Sequence, residues 1–242
     1  MGFKSGVISV SDITDATPAA FYAHQTERSM TQEIAADLLT SHVDVFVGSK
    51  RKSFSDNKNT KLMDHLADRG YTYQKDLKGF VSSNAVKQLV LLDDSVTRRK
   101  LDGRGEMLNT SFLKTVELLS KNKNGFFIMA EGAQIDHGGH ANDLPFAVTE
   151  QHDFDRLVGE ALKFADQNGE TLVIVTADHE TGGLSLLDAA YKKGTVRGNF
   201  STDDHTNIMV PVFAYGPGAA DFIGVYPNTI IFSKIISSYK LK

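Results

Sequence analysis

Carboxylates and imidazoles gather in three short stretches of this chain. The first is Asp136-His137-Gly138-Gly139-His140, the second Asp178-His179, the third Asp203-Asp204-His205, and five of the eight histidines fall between His137 and His205. The chain has no cysteine, so a metal site must be built without sulfur, and neutral imidazole with carboxylate is the donor mixture that suits zinc. Asp136 and His140 are four residues apart, so one helical turn puts both on a single face. Asp178 and His179 are adjacent and need a sharp turn to converge on one ion. Gly132, Gly138, Gly139, Gly182 and Gly183 flank these places and permit close approach and unusual backbone angles. A lone Asp-His pair is more often a surface turn than a ligand pair, but three such groups at strand ends point to metal binding. His42 and His65 read as ordinary histidines, His24 stays open, and His152 and Arg156 fall on the solvated side of a long helix.

The elements that must position these groups follow from apolar periodicity. Gly6–Val10, Val43–Val47, Leu89–Leu92, Gly125–Ala130, Thr171–Thr176 and Met209–Tyr215 read as short strands with near-continuous apolar character. Between them lie helical patterns. One opens at Thr17-Pro18, with the threonine as cap, and runs through His24. Others cover Met30–Leu39, Lys61–Arg69 ending at Gly70, Glu106–Lys121 and Leu144–Asn168. Buried strands alternating with helices predict an α/β fold, a three-layer αβα sandwich around a mostly parallel sheet. In such folds the functional groups collect beyond the carboxyl ends of the strands. Glu131 and the Asp136 stretch follow one strand, and Asp178-His179 follow the next. Gly48–Asn59 and Ala189–Asp204 read as irregular loops.

Composition narrows the chemistry. At 242 residues the chain suits one domain, 1–242, and its net charge of −4 argues against a nucleic-acid partner. A small anionic substrate stays compatible, because metal ions supply local positive charge. Absent cysteine excludes thiol catalysis and disulfides, and no apolar run is long enough to span a membrane. No G-x-x-x-x-G-K-[ST] is present, so a nucleoside-triphosphatase reading has no support.

Glu131–His140 (EGAQIDHGGH), Thr176–Gly183 (TADHETGG), His205-Thr206, Asp15–Arg28 (DATPAAFYAHQTER) and Phe213–Ala219 (FAYGPGA) together resemble the alkaline phosphatases, in the family's order and over nearly the whole chain. The resemblance implies a phosphate monoester hydrolase with two zinc ions and one magnesium ion. It implies Asp136, His140 and His205 as ligands of the first zinc and Asp178 and His179 as ligands of the second. Thr17 and Glu131 would belong to the magnesium site, with Asp15 in its outer shell. Arg28 would grip the phosphate through two parallel hydrogen bonds, and His137 would approach it through water. Homodimers and export to the periplasm or the exterior are further expectations of the family.

The resemblance also implies two pieces upstream of Asp15: a strand-ending aspartate that bridges the second zinc and the magnesium, and a nucleophilic serine in a D-S-A-like motif. Neither has a counterpart here. Asp93-Asp94-Ser95-Val96 and Ser82-Ser83-Asn84-Ala85 lie downstream of Asp15 and match other parts of the family. The expectation is a domain truncated at its N-terminus, with open sheet edges and negligible turnover on its own, which in the complete protein acts through a phosphoserine. Sulfate-ester, phosphodiester or phosphomutase chemistry is the alternative within the superfamily. A catalytically dead metal-binding fragment, or a subunit needing a partner segment, is the alternative from another class.

Overall fold

A computed structural model describes residues 2–49, 52–55 and 61–239. The chain divides into two compact units, Met1–Ile135 with Val148–Phe154, and Asp136–Ala147 with Asp155–Lys242.

The first unit runs β1 (Lys4–Asp12), α1 (Ala16–Ala19), α2 (Thr31–Asp37), β2 (Val45–Ser49), α3 (Lys52–Ser55), α4 (Leu62–Asp68), β3 (Thr72–Gln74), α5 (Leu77–Ser82), β4 (Gln88–Leu91), α6 (Met107–Leu119) and β5 (Phe126–Glu131). Its strands form one sheet in the order β3-β4-β2-β1-β5, with every neighbouring pair parallel. Parallel neighbours require crossover connections, which the intervening helices supply. Both faces of the sheet are covered, and β1, β2 and β4 are accordingly buried along most of their length. On one face Val7, Phe46 and Leu89 cluster with Ile34, Leu38, Leu62 and Leu66. Gly6 points to the other face, where a Cβ would meet Thr115 and Leu119 of α6 at 2.7 and 3.3 Å, so the missing side chain lets that helix settle on β1. At the sheet's end β5 is half-buried throughout, whereas β2 is fully buried.

α7 (Gln134–His140) begins in the first unit and ends in the second, and α8 (Leu144–Asn168) lends residues 148–154 to the first. Asp143 caps α8 by accepting from Phe146 N at 3.0 Å, Pro145 occupies its first turn, and Gly169 ends it in a left-handed conformation at φ 72°. The second unit continues with β6 (Val173–Val175), β7 (Glu180–Thr181), β8 (Ser185–Ala190), β9 (Thr195–Asn199), β10 (His205–Thr206), β11 (Phe213–Tyr215) and α9 (Ile230–Ser238). Among the described residues these strands make three antiparallel pairs, β6 with β11, β7 with β10 and β8 with β9.

Several details depart from the sequence reading. The cap of α1 is Asp15, whose carboxylate accepts from Ala16 N at 2.9 Å, and not Thr17, which lies inside the helix; α1 also stops at Ala19. The strand expected over Met209–Tyr215 starts only at Phe213, because Pro211 brings no N–H to a ladder. It pairs antiparallel with β6 in a two-stranded sheet. Of Ala189–Asp204, the part up to Asn199 is not irregular but belongs to the β8–β9 hairpin, while residues 200–204 are irregular as expected. Of Gly48–Asn59, Gly48 and Ser49 belong to β2 and Lys52–Ser55 form α3; residues 50, 51 and 56–59 lie outside the described residues. No helix among the described residues is long and apolar enough to cross a membrane.

The first unit also contains charges that periodicity places in solvent. Arg104 is fully buried and reaches Glu150 at 2.5 Å and Asp153 at 2.8 Å. Lys100 adds an ion pair to Asp153 at 2.6 Å and a backbone bond to Glu150 at 2.7 Å. Paired in this way, the two buried carboxylates avoid the cost of isolation.

Candidate metal centre

The helical spacing of α7 does what it predicts: His140 Nε2 lies 3.4 Å from Asp136 Oδ1. β10 brings in His205, whose Nε2 is 3.8 Å from Asp136 Oδ1 and 3.1 Å from His140 Nε2. One ligand atom from each residue falls within 4.8 Å of the others. The tautomer of His140 follows from its other nitrogen. Nδ1 sits 2.6 Å from the Asp203 carbonyl, which only accepts, so Nδ1 carries the proton and Nε2 turns a lone pair to the cluster. Two nitrogens and one carboxylate oxygen are a donor set that could hold a divalent metal ion.

Thr181 on β7 links this cluster to the second Asp-His pair. Its hydroxyl donates to Asp136 Oδ1 at 2.5 Å and lies 3.2 Å from His179 Nδ1. The hydroxyl's one proton is committed to the carboxylate, so only Nδ1 of His179 could donate in the second contact, while Nε2 of the same ring faces Asp178 Oδ2 at 3.1 Å. The His179 ring stacks on the His205 ring with centroids 3.5 Å apart. The glycines expected to allow close approach do so: a Cβ on Gly139 would stand 2.8 Å from the Thr181 carbonyl, and one on Gly138 2.7 Å from the Ala147 backbone.

Glu180, next to His179, accepts from Gly183 N and Leu184 N at 3.1 Å each and from the Thr206 hydroxyl. Burial pushes its carboxyl upward, but the Thr206 hydroxyl, the two backbone donors and the charge of His179 together bring it below the usual glutamate range.

Asp15, Thr17, Arg28 and Glu131 belong to the first unit. Asp15 pairs with the Arg28 guanidinium at 2.6 Å, and the arginine side chain is 70% exposed. Glu131 ends β5 opposite Ser9 of β1, and the buried Ser9 hydroxyl donates to Glu131 Oε2 at 2.6 Å. α1, which carries Thr17, packs against β1 and β5. Threonine hydroxyl and glutamate carboxylate are the oxygen donors a hard cation takes. His137 is exposed on α7. Sequence reasoning passed over Ser9, Thr181, Glu180, Thr206 and the Asp203 carbonyl. A two-residue strand has no periodicity to read: the pairing of β7 with β10 brings in Thr181, Glu180 and Thr206, and the pairing of β1 with β5 sets Ser9 against Glu131.

A family model described as alkaline phosphatase matches residues 1–195. Alkaline phosphatase 4 of Bacillus subtilis is 30% identical over 245 residues, covering 98% of this chain and 53% of its own. Among solved structures, the alkaline phosphatase from the Antarctic bacterium TAB5 superposes with a TM-score of 0.90 at 41% identity, over 98% of this chain and 72% of its own. A mutant of that enzyme with Mg bound in its M3 site gives a TM-score of 0.89 at 39% identity, over 99% and 73%. The chain spans about half the length of the Bacillus relative.

Proposed function

This chain belongs to the alkaline phosphatase family, and from that premise we propose that it supplies the metal- and phosphate-binding residues of a phosphate monoester hydrolase. The observation that carries the reading is the convergence of Asp136, His140 and His205, with Nδ1 of His140 tied to a carbonyl. In this reading these three residues hold a first zinc, and Asp178 and His179 contribute to a second. Thr17 and Glu131 serve a magnesium ion with Asp15 beyond them; the magnesium in the TAB5 mutant supports a cation at a third place. Bound divalent cations would steady the charge on the attacking and departing oxygens of an in-line phosphoryl transfer.

The chain's own groups have defined tasks. Asp15 holds one edge of the Arg28 guanidinium, so the remaining N–H donors are oriented for two phosphate oxygens in parallel, which lysine would not match. Thr181 keeps Asp136 aimed by donating to it. His137, exposed beside the first cluster, reaches a bound phosphate through water. The phosphoserine route of the reading needs a nucleophile that has no matching serine in these 242 residues, so the chain alone gives negligible turnover. A homodimer and an exported location rest on the family resemblance and complete the reading.

The test combines zinc binding and turnover on the full chain. Competition against a chromophoric chelator should show zinc bound by the wild type and lost in His140→Ala. With zinc and magnesium present at alkaline pH, p-nitrophenyl phosphate should remain essentially unhydrolysed. Absence of zinc binding would overturn the metal assignment, and robust metal-dependent turnover would overturn the missing nucleophile.

A further inference from the structure

The ladder that presents His205 is very short. β7 and β10 have two residues each, joined by the pairs Thr181 with His205 and Glu180 with Thr206. Adjacent strand residues point to opposite faces. Thr181 and His205 therefore share the face that looks onto Asp136, and Glu180 and Thr206 share the reverse. A slip of one residue would turn His205 away from the cluster. Two rungs hold such a pair poorly, and the backbone bond from Gly182 N to the Asp204 carbonyl at 3.0 Å adds one more. The Gly182 carbonyl also accepts from Ser201 N at 3.0 Å and Thr202 N at 3.2 Å, and the reverse face of the ladder carries a further restraint. The Glu180 carboxylate takes the Thr206 hydroxyl from β10 and the Gly183 and Leu184 N–H groups from the turn after β7. One side chain thus fastens β7, its turn and β10 together without touching any ligand atom.

We propose that Glu180 is a positioning residue of the metal centre: by clamping Thr206 and the 183–184 turn it fixes the β7–β10 register that sets His205 Nε2 against Asp136 and His140. The inference rests on the metal reading of that cluster. It goes beyond the ligand set, because it assigns control of metal affinity to a residue whose bonds all lie on the far side of the ladder.

The decisive comparison uses the full chain as wild type, Glu180→Gln, Thr206→Val and Thr206→Ser. Thr206→Val removes the hydroxyl at nearly constant shape, and Thr206→Ser restores it. Co²⁺ absorption in the visible range reports ligand geometry, chelator competition reports zinc affinity, and melting of the metal-free chain reports folding. We expect Glu180→Gln and Thr206→Val to weaken zinc binding about 10-fold, the order found when groups that orient ligands are removed. Both should alter the Co²⁺ bands, and Thr206→Ser should bind as the wild type does. Wild-type affinity and spectrum in both Glu180→Gln and Thr206→Val would overturn the clamp, as would an equal loss in Thr206→Ser. A wild-type chain that binds neither ion would instead overturn the metal reading itself, and the clamp with it. If Glu180→Gln does not fold, the two threonine variants decide alone.

Discussion

One histidine in this chain has its proton placed by a neighbour that can only accept: the Asp203 carbonyl obliges His140 to carry its proton on Nδ1. Nitrogen-15 NMR of the metal-free chain at alkaline pH should find His140 as the Nδ1–H tautomer; an Nε2–H signature contradicts the assignment. Thr181→Val removes the donor to Asp136 and the acceptor for His179, and should weaken zinc binding roughly 10-fold by chelator competition. Unchanged affinity would show that Asp136 needs no such support. At this scale Asp136 and His140 were legible in the sequence, because a four-residue interval on a helix has one geometric meaning. Asp178, His179 and His205 were legible by type and position but not by arrangement. Thr181 and Glu180 were illegible, since their partners are chosen by a strand pairing that no local pattern announces.

Elements bring these residues together through close backbone approach. α7 meets β7 at Gly139, where an added methyl group would crowd the Thr181 carbonyl at 2.8 Å. Gly139→Ala should cost about 1–3 kcal/mol as overpacking and lower zinc affinity as well, seen in parallel melting and binding curves. A neutral effect on both would place the contact elsewhere. The segments that follow β1 and α1 are tied by Tyr22, whose buried hydroxyl donates to the Ile13 carbonyl at 2.8 Å. Burial, then Asp12 and Asp37, raises that phenol far above its ordinary value of 10.0. A raised phenol contributes fully below about pH 10, where neither state ionises. Above it the unfolded chain ionises first, and stability falls by up to about 1.4 kcal/mol per pH unit until the folded value is reached. Denaturant titrations at pH 9, 10 and 11 should show that slope, and Tyr22→Phe should flatten it while losing about 1 kcal/mol at neutral pH. An identical slope in Tyr22→Phe would assign it to other groups. The parallel strands were readable because burial on both faces forces an apolar run. The β8–β9 hairpin was not, because its residues are exposed and leave no apolar pattern.

For the molecule as a whole, the long helix α8 shows what patterning hides. His152 is exposed, as its face suggested, yet Glu150 and Asp153 on either side turn inward to Arg104. Charged letters on a helix read as a solvated face, and nothing local reveals that an arginine some 46 positions away completes a buried group. Arg104→Met should destabilise the chain by about 3–5 kcal/mol in denaturant unfolding, because it takes the shared guanidinium from two buried carboxylates. A loss under 1 kcal/mol would mean that water reaches them. The fold class itself was legible at this scale, since alternation of apolar strands with helices leaves few architectures, and the parallel five-stranded sheet with helices on both faces is one of them.

The central claim is that Asp136, His140 and His205 share a cation, and zinc-edge anomalous diffraction from crystals of this chain grown with zinc tests it most directly. An ion should appear about 2.0–2.2 Å from both Nε2 atoms and from one Asp136 oxygen. Anomalous density elsewhere, with these three side chains pointing apart, would contradict it.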